Sequence, residues 1–164
     1  MEARAKIFGH PIHQMLIVLP FGMLAGSFLF DVVHLFDEGG PWAQIAYWLI
    51  VAGVLSGLLA AVFGLIDWLA IPVNTRARRI GAWHGLGNVL LLALFAGSWL
   101  LRREAPMDPS GTALLLSACG IVVSLVTGWL GGELVDRLGV GVDPAANLNA
   151  PSSLTRRPVD PGPP

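Results

Sequence analysis

Charged residues are scarce in this chain, and their scarcity decides its class. Only 13% of the 164 residues are Asp, Glu, Lys or Arg, whereas 54% are hydrophobic and the mean hydropathy is +0.67. Soluble domains usually carry about 25% charged residues. A net charge of -1 and the lack of a basic stripe with interleaved aromatics also exclude nucleic acid as a partner. The composition predicts an integral membrane protein whose first partner is the lipid bilayer.

Cysteine is nearly absent, and so are the motifs of common enzymes. The single Cys119 lies in an apolar run, which excludes an intramolecular disulfide and a cysteine-rich metal site. Nothing resembles a Ser-His-Asp triad, a P-loop or a nucleotide-binding fingerprint. The sequence therefore favours a protein without catalytic activity of its own.

Four long apolar stretches dominate what is present. Each can cross about 30 Å of hydrocarbon, which takes about 20 helical residues. They cover residues 12–36, 43–71, 81–101 and 111–130. Short polar connections separate them, so neighbouring helices should be antiparallel. We predict an all-α fold, a four-transmembrane-helix up-and-down bundle, over residues 1–141.

Residues 142–164 differ from the rest, because six prolines stand there among Asn, Ser and Asp. Such a segment cannot bury enough apolar area to offset the entropy of ordering it. We predict a disordered, Pro-rich cytoplasmic tail.

The basic residues near the span ends predict the orientation. Most lie on the side of the two termini, and only Arg102 and Arg103 lie on the other. The positive-inside rule then places both termini in the cytoplasm, as expected for a multi-pass protein of the bacterial inner membrane.

Glycines spaced four apart recur in all four spans and predict close helix packing. The pairs are Gly22 and Gly26, Gly53 and Gly57, Gly81 and Gly85, and Gly128 and Gly132.

Three histidines fall at the cytoplasmic side of the predicted bundle. His10 and His13 are three residues apart, so a continuous helix would place them on one face. His84 opens the third span, which enters from the same side as the first. A parallel repeat of two hairpins would set His13 opposite His84, with Asp67 and Glu133 closing the two hairpins. Ionisable groups at membrane spans often mark ion, proton or cofactor sites. The alternative is that these rings only bond lipid headgroups or loops.

Asp67 lies at the end of the second span on the same side. It could accept an N–H from a liganding imidazole and so fix the orientation of that ring. The alternative is a salt bridge to an arginine of the following loop, Arg76, Arg78 or Arg79.

These residues suit two kinds of cofactor. Haem b could be bound by His84 and either His10 or His13, with Gly81 and Gly85 making room and the loop arginines near the propionates. The set His10, His13, Asp67 and His84 equally suits a transition metal with three nitrogen ligands and one oxygen ligand.

The motifs resemble those of a bacterial membrane-protein family, domain of unknown function 2231. They are Gly9-His10-Pro11-Ile12-His13, Gly64-Leu65-Ile66-Asp67, His84 and Gly131-Gly132-Glu133-Leu134-Val135. The resemblance covers about residues 8–142. Many relatives have further histidines where this chain has Val18 and Leu138, so a second metal or haem centre is not expected. Some relatives look fused to Rieske-type iron–sulfur domains, and the resemblance therefore implies electron transfer and a redox partner protein.

Two hypotheses follow. One is a small haem- or metal-binding redox module that uses the histidine cluster. The other is a membrane scaffold or partner subunit, in which the histidines and Asp67 form a structural hydrogen-bond network; either could form a homo-oligomer. At the opposite end, Asp31 and His34 are three apart and could pair with each other.

Overall fold

The structure, a computed structural model, describes residues 1–155. Residues 156–164, with four of the six prolines of the predicted tail, lie outside this range. Residues 143–155 form short turns, and the Ser153 hydroxyl donates to the carbonyl oxygen of Phe8 at 2.9 Å. Disorder of the tail stays a prediction.

Four helical spans form an up-and-down bundle, which confirms the predicted fold. The first span combines α1 (Ile12–Leu16) and α2 (Val18–His34), the second is α3 (Trp42–Ala70), the third is α4 (Arg76–Leu101), and the fourth is α5 (Gly111–Gly132) with a π-helical turn, Glu133–Arg137. All four spans are long and apolar enough to cross a membrane. Helix α4 begins at Arg76 rather than at residue 81, because the Thr75 side chain accepts the backbone N–H of Arg78 and caps the helix.

A small hairpin precedes the first helix. Strand β1 (Lys6–Ile7) pairs with β2 (His10–Pro11) through a two-residue turn in which Phe8 and Gly9 have φ values of 51° and 84°. Two central residues with positive φ are typical of the tight turns that match strand twist. His10 therefore lies in a strand, and the helix begins only at Ile12.

The centre of the bundle is a small apolar cluster of Leu24, Ile50, Leu91 and Phe95. Two glycines admit its large side chains. A Cβ at Gly53 would lie 2.6 Å from the Leu24 side chain, and one at Gly120 would lie 2.6 Å from Phe95.

The predicted glycine pairs are only partly at helix contacts. Gly53, Gly57 and Gly81 each face a neighbouring side chain closely. Four others would place a Cβ within 4 Å of nothing among the described residues: Gly22, Gly85, Gly128 and Gly132. Sequence spacing alone does not reveal which face of a helix meets a neighbour.

The contacts of the first hairpin, α1 to α3, recur in the second hairpin, α4 and α5. A residue of the first span corresponds to the residue 71 positions later, and a residue of α3 to the one 67 positions later. The corresponding pairs include Leu24 and Phe95 in the core, Gly53 and Gly120 beside them, Ser27 and Ser98, and Ala46 and Ala113. The repeat places Leu134, and not Glu133 as predicted, at the position equivalent to Asp67.

Candidate functional site

His13 and His84 meet inside the bundle. Their ring centroids are 6.4 Å apart and their planes are nearly perpendicular, at 89°. His13 lies in the first turn of α1, whereas His84 lies two turns inside α4, about 12 Å from the first residue of that helix at 1.5 Å per residue. The predicted meeting of these two histidines is what the structure shows.

Each ring bonds the backbone of the helix that follows it in its own hairpin. Nδ1 of His13 lies 2.9 Å from the carbonyl oxygen of Ala60, and Nδ1 of His84 lies 2.9 Å from that of Thr127. A carbonyl oxygen only accepts, so Nδ1 must carry the proton in both rings. In the neutral ring the lone pair is then on Nε2, the nitrogen available to a ligand.

A glycine lies against each histidine ring. A Cβ at Gly64 would be 2.9 Å from the His13 ring, and a Cβ at Gly131 would be 3.2 Å from the His84 ring. These glycines follow Ala60 and Thr127 by one helical turn, so ring, carbonyl and glycine repeat in both hairpins. Gly85, which was expected to make room beside His84, is exposed, and a Cβ there would lie within 4 Å of no other part of residues 1–155 outside the neighbouring turns of its own helix.

One residue breaks the symmetry of the pair. The Asn88 amide nitrogen donates to the carbonyl oxygen of His84 at 2.8 Å and lies 3.2 Å from its Nε2. The equivalent position beside His13 is Ile17, which has no polar group. Nε2 of His84 is thus engaged by a weak donor.

His10 does not join the pair. It is exposed on β2, and its Nε2 lies 3.3 Å from the Ser153 hydroxyl. The shared helix face predicted for His10 and His13 does not form, because the chain is still extended at His10 and turns helical at Ile12.

Asp67 binds the start of the chain. Its Oδ1 accepts the backbone N–H of Arg4 at 2.7 Å and that of Ala5 at 3.0 Å. Neither predicted partner, an imidazole or a loop arginine, bonds this carboxylate. The reason is that residues 1–11 fold back over the bundle and present two backbone amides, so Asp67 anchors the segment that leads into His13.

The loop arginines are also engaged elsewhere. Arg76 forms a salt bridge with Glu133 at 2.6 Å. Arg78 stacks on the Trp68 ring, 3.8 Å from its centroid, and donates to the carbonyl oxygens of Trp68 and Ile71. The expectation that these arginines would bind haem propionates has no support from these contacts.

Residues 1–155 contain no group of three or more His, Cys, Asp or Glu side chains that could hold a metal ion. The four-residue set predicted from sequence, His10, His13, Asp67 and His84, is therefore not assembled as one site. What the structure brings together is the pair His13 and His84.

A second polar cluster lies toward the opposite end of the bundle, and sequence reasoning missed it. Arg102 is fully buried and donates to both carboxylate oxygens of Asp31, at 2.8 and 3.2 Å. It also donates to the hydroxyls of Ser98 and Ser117. The predicted pairing of Asp31 with His34 does not form; the carboxylate instead binds Arg102 through both oxygens. Asp31 and Arg102 are 71 positions apart, the same separation as His13 and His84, and that spacing was the available signal.

His34 is the last residue of α2 and lies at the same end of the bundle as Arg102 and Asp31. It is 8% exposed, and its Nδ1 has no hydrogen-bond partner among the described residues. An open pocket of about 370 Å³ beside it is also lined by Glu38 and Asp108.

The chain matches one known protein family. No curated protein and no solved structure matches the chain. The family described as Predicted membrane protein (DUF2231) matches residues 9–144, a range that includes both histidines, their carbonyl partners and the buried ion pair. The chain therefore belongs to the family of domain of unknown function 2231, as its motifs predicted.

Proposed function

We propose that this protein is a membrane-embedded binding module for one transition-metal ion, held between His13 and His84. One observation carries the proposal: both rings donate Nδ1–H to a backbone carbonyl, and their centroids lie 6.4 Å apart with the ring planes nearly perpendicular. Metal-binding histidines commonly donate their other ring N–H to a carbonyl or carboxylate, which fixes the tautomer and the ring orientation. Both rings have this arrangement.

The separation of the rings suits a single shared ion. A metal–nitrogen bond is about 2.0 to 2.1 Å and a ring nitrogen lies about 1.1 Å from its centroid, so two rings on opposite sides of one ion have centroids about 6.3 Å apart. The observed 6.4 Å agrees with that value. Imidazole nitrogen is a suitable ligand for Zn, Cu, Fe and Ni.

Haem b fits these residues less well than a bare ion. The rings are bonded to Ala60 and Thr127, so helices α3 and α5 flank the pair closely. A macrocycle between the rings would have to push these helices apart, and Arg76 and Arg78 are engaged elsewhere. Electron transfer and a redox partner are implied only by the family resemblance, so the proposal is confined to metal binding.

Metal loading of the purified full-length protein tests this function. Wild type in detergent, exposed to Zn, Cu, Ni, Fe and haem in turn and then desalted, should retain about one metal ion per chain by elemental analysis. His13→Ala and His84→Ala should each lose it, because one remaining imidazole cannot hold an ion between two rings. His10→Ala is the matched control and should bind as wild type, since His10 lies on the outer hairpin.

The rival function is a scaffold or partner subunit without a cofactor, and the same variants distinguish it. Under that hypothesis His84→Ala lowers thermal stability by breaking the bonds to Thr127 and Asn88. Added metal would then change the melting temperature of neither protein. A wild type that retains neither metal nor haem rules out the metal-binding function and favours the scaffold.

We also propose that both termini lie in the cytoplasm of a bacterial cell, with the bundle in the inner membrane. The basic residues near the termini and at the start of α4 support this orientation. Single cysteines placed at Gly40 and Asp108 in a Cys119→Ser background should react with a membrane-impermeant thiol reagent added outside spheroplasts. Labelling of these positions only from the cytoplasmic side would reverse the orientation.

A further inference from the structure

The small number of ligands at the histidine pair restricts which metal ion can bind there. Within residues 1–155 no third imidazole, thiol or carboxylate joins His13 and His84. The Asn88 amide presents its nitrogen to Nε2 of His84, and that atom is a donor that cannot bind a cation. The protein thus offers an ion two neutral nitrogen atoms.

The distance between the two rings also favours a metal ion that binds only two ligands. Two ligands of a tetrahedral ion would bring the ring centroids to about 5 Å, given metal–nitrogen bonds of about 2.0 Å. The observed centroid separation of 6.4 Å is close to the value for nitrogens on opposite sides of an ion and longer than the tetrahedral value. Zinc favours four tetrahedral ligands, and Cu(II) and Ni(II) favour tetragonal sets of nitrogen and oxygen. Cuprous ion, with a filled d shell, is the biological metal that is stable with two nitrogen ligands in a line.

We infer that the His13 and His84 pair is a cuprous-ion site with linear coordination by the two Nε2 atoms; this inference rests on the proposed metal-binding function. The neutral tautomer with Nδ1–H bonded to its carbonyl presents the lone pair of Nε2, so this form of each ring binds the ion without moving a proton. The ion displaces the Asn88 amide from Nε2 of His84, while Asn88 keeps its bond to the His84 carbonyl oxygen.

Anaerobic titration tests which metal ion the histidine pair binds. Full-length protein in detergent competes with bicinchoninate for Cu(I), and separate samples receive Zn(II) and Co(II). We expect one Cu(I) per chain, an X-ray absorption spectrum with two nitrogen neighbours, and affinity lower by about 100-fold or more in His13→Ala and His84→Ala.

Asn88→Leu is a second variant that does not depend on losing a ligand. It removes the donor that competes for Nε2, so Cu(I) affinity should rise about fivefold, the equivalent of one ordinary hydrogen bond. Weaker Cu(I) binding in Asn88→Leu would contradict ligation through Nε2 of His84.

The outcomes separate this inference from the broader function. Retention of Zn(II) or Co(II) in a four-coordinate spectrum, with Cu(I) bound no more tightly, overturns the cuprous assignment and leaves metal binding at the pair intact. Absence of every metal and of haem overturns both. Cu(I) bound equally by wild type and His84→Ala would place the ion elsewhere and also overturn the assignment.

Discussion

Replacing Asp31 with asparagine should lower the free energy of unfolding by about 3–5 kcal/mol, the usual cost of leaving one member of a buried ion pair unpaired. Arg102 is fully buried and its only carboxylate partner among the described residues is Asp31. The change retains the side-chain shape but removes the charge that compensates the guanidinium. Thermal unfolding of the full-length protein in detergent, followed by circular dichroism, measures the loss.

The repeat provides a strict control for this prediction. Asp31 and Arg102 occupy equivalent positions, so the exchange Asp31→Arg with Arg102→Asp should recover part of the lost stability. Recovery should be incomplete, because Ile50 stands at the first-hairpin position equivalent to Ser117 and cannot accept from the moved guanidinium. Arg103→Met tests the exposed neighbour and should cost little. An exchange variant no more stable than Asp31→Asn would contradict the assigned equivalence.

Gly120→Ala should lower the free energy of unfolding by about 1–3 kcal/mol, as overpacking a closed core does. The new Cβ would lie 2.6 Å from the ring of Phe95, which is fully buried at the centre of the bundle. Because the ring is fully buried, either the ring or the two helices α4 and α5 must shift to admit the new Cβ. Chemical unfolding in mixed micelles measures the loss.

Two variants show whether the Phe95 ring causes the effect. Gly128→Ala lies on the same helix, and its Cβ would meet nothing within 4 Å among residues 1–155. It should be neutral or slightly stabilising because alanine favours helix. Phe95→Leu combined with Gly120→Ala should be less destabilised than the sum of the single changes. Strict additivity of the two changes would mean that the ring and the glycine do not compete for space.

The spans could be predicted because the bilayer constrains them strongly: each must be helical, apolar and about 20 residues long. The meeting of His13 and His84 was also predictable, since up-and-down topology alone brings the entries of the first and third spans together. The packing of the two rings against Gly64 and Gly131 could not be predicted, because those contacts depend on how each helix is rotated about its axis.

The errors around the site have one physical origin. Asp67 was expected to bond an imidazole or an arginine, yet its partners are the backbone amides of Arg4 and Ala5. Every residue except proline carries such an amide, so residue types give no sign of which amide will reach a carboxylate. His10 was grouped with His13 on helical spacing, although the two-residue turn at Phe8 and Gly9 delays the helix to Ile12. The backbone of residues 4–11 decided both outcomes, by supplying the amides that bind Asp67 and by staying extended at His10.

The unlike charges at the equivalent positions 31 and 102 make the two halves of the protein complementary rather than interchangeable. Two copies of the first hairpin would bury two carboxylates against each other, and two copies of the second would bury two guanidinium groups. Either like-charged pairing costs several kcal/mol, whereas the pairing present in the chain satisfies both charges. The buried charges therefore require a first hairpin to pack against a second hairpin, although the fold resembles a symmetric dimer joined by a loop. If two chains exchange hairpins, each first hairpin must pair with the second hairpin of the other chain.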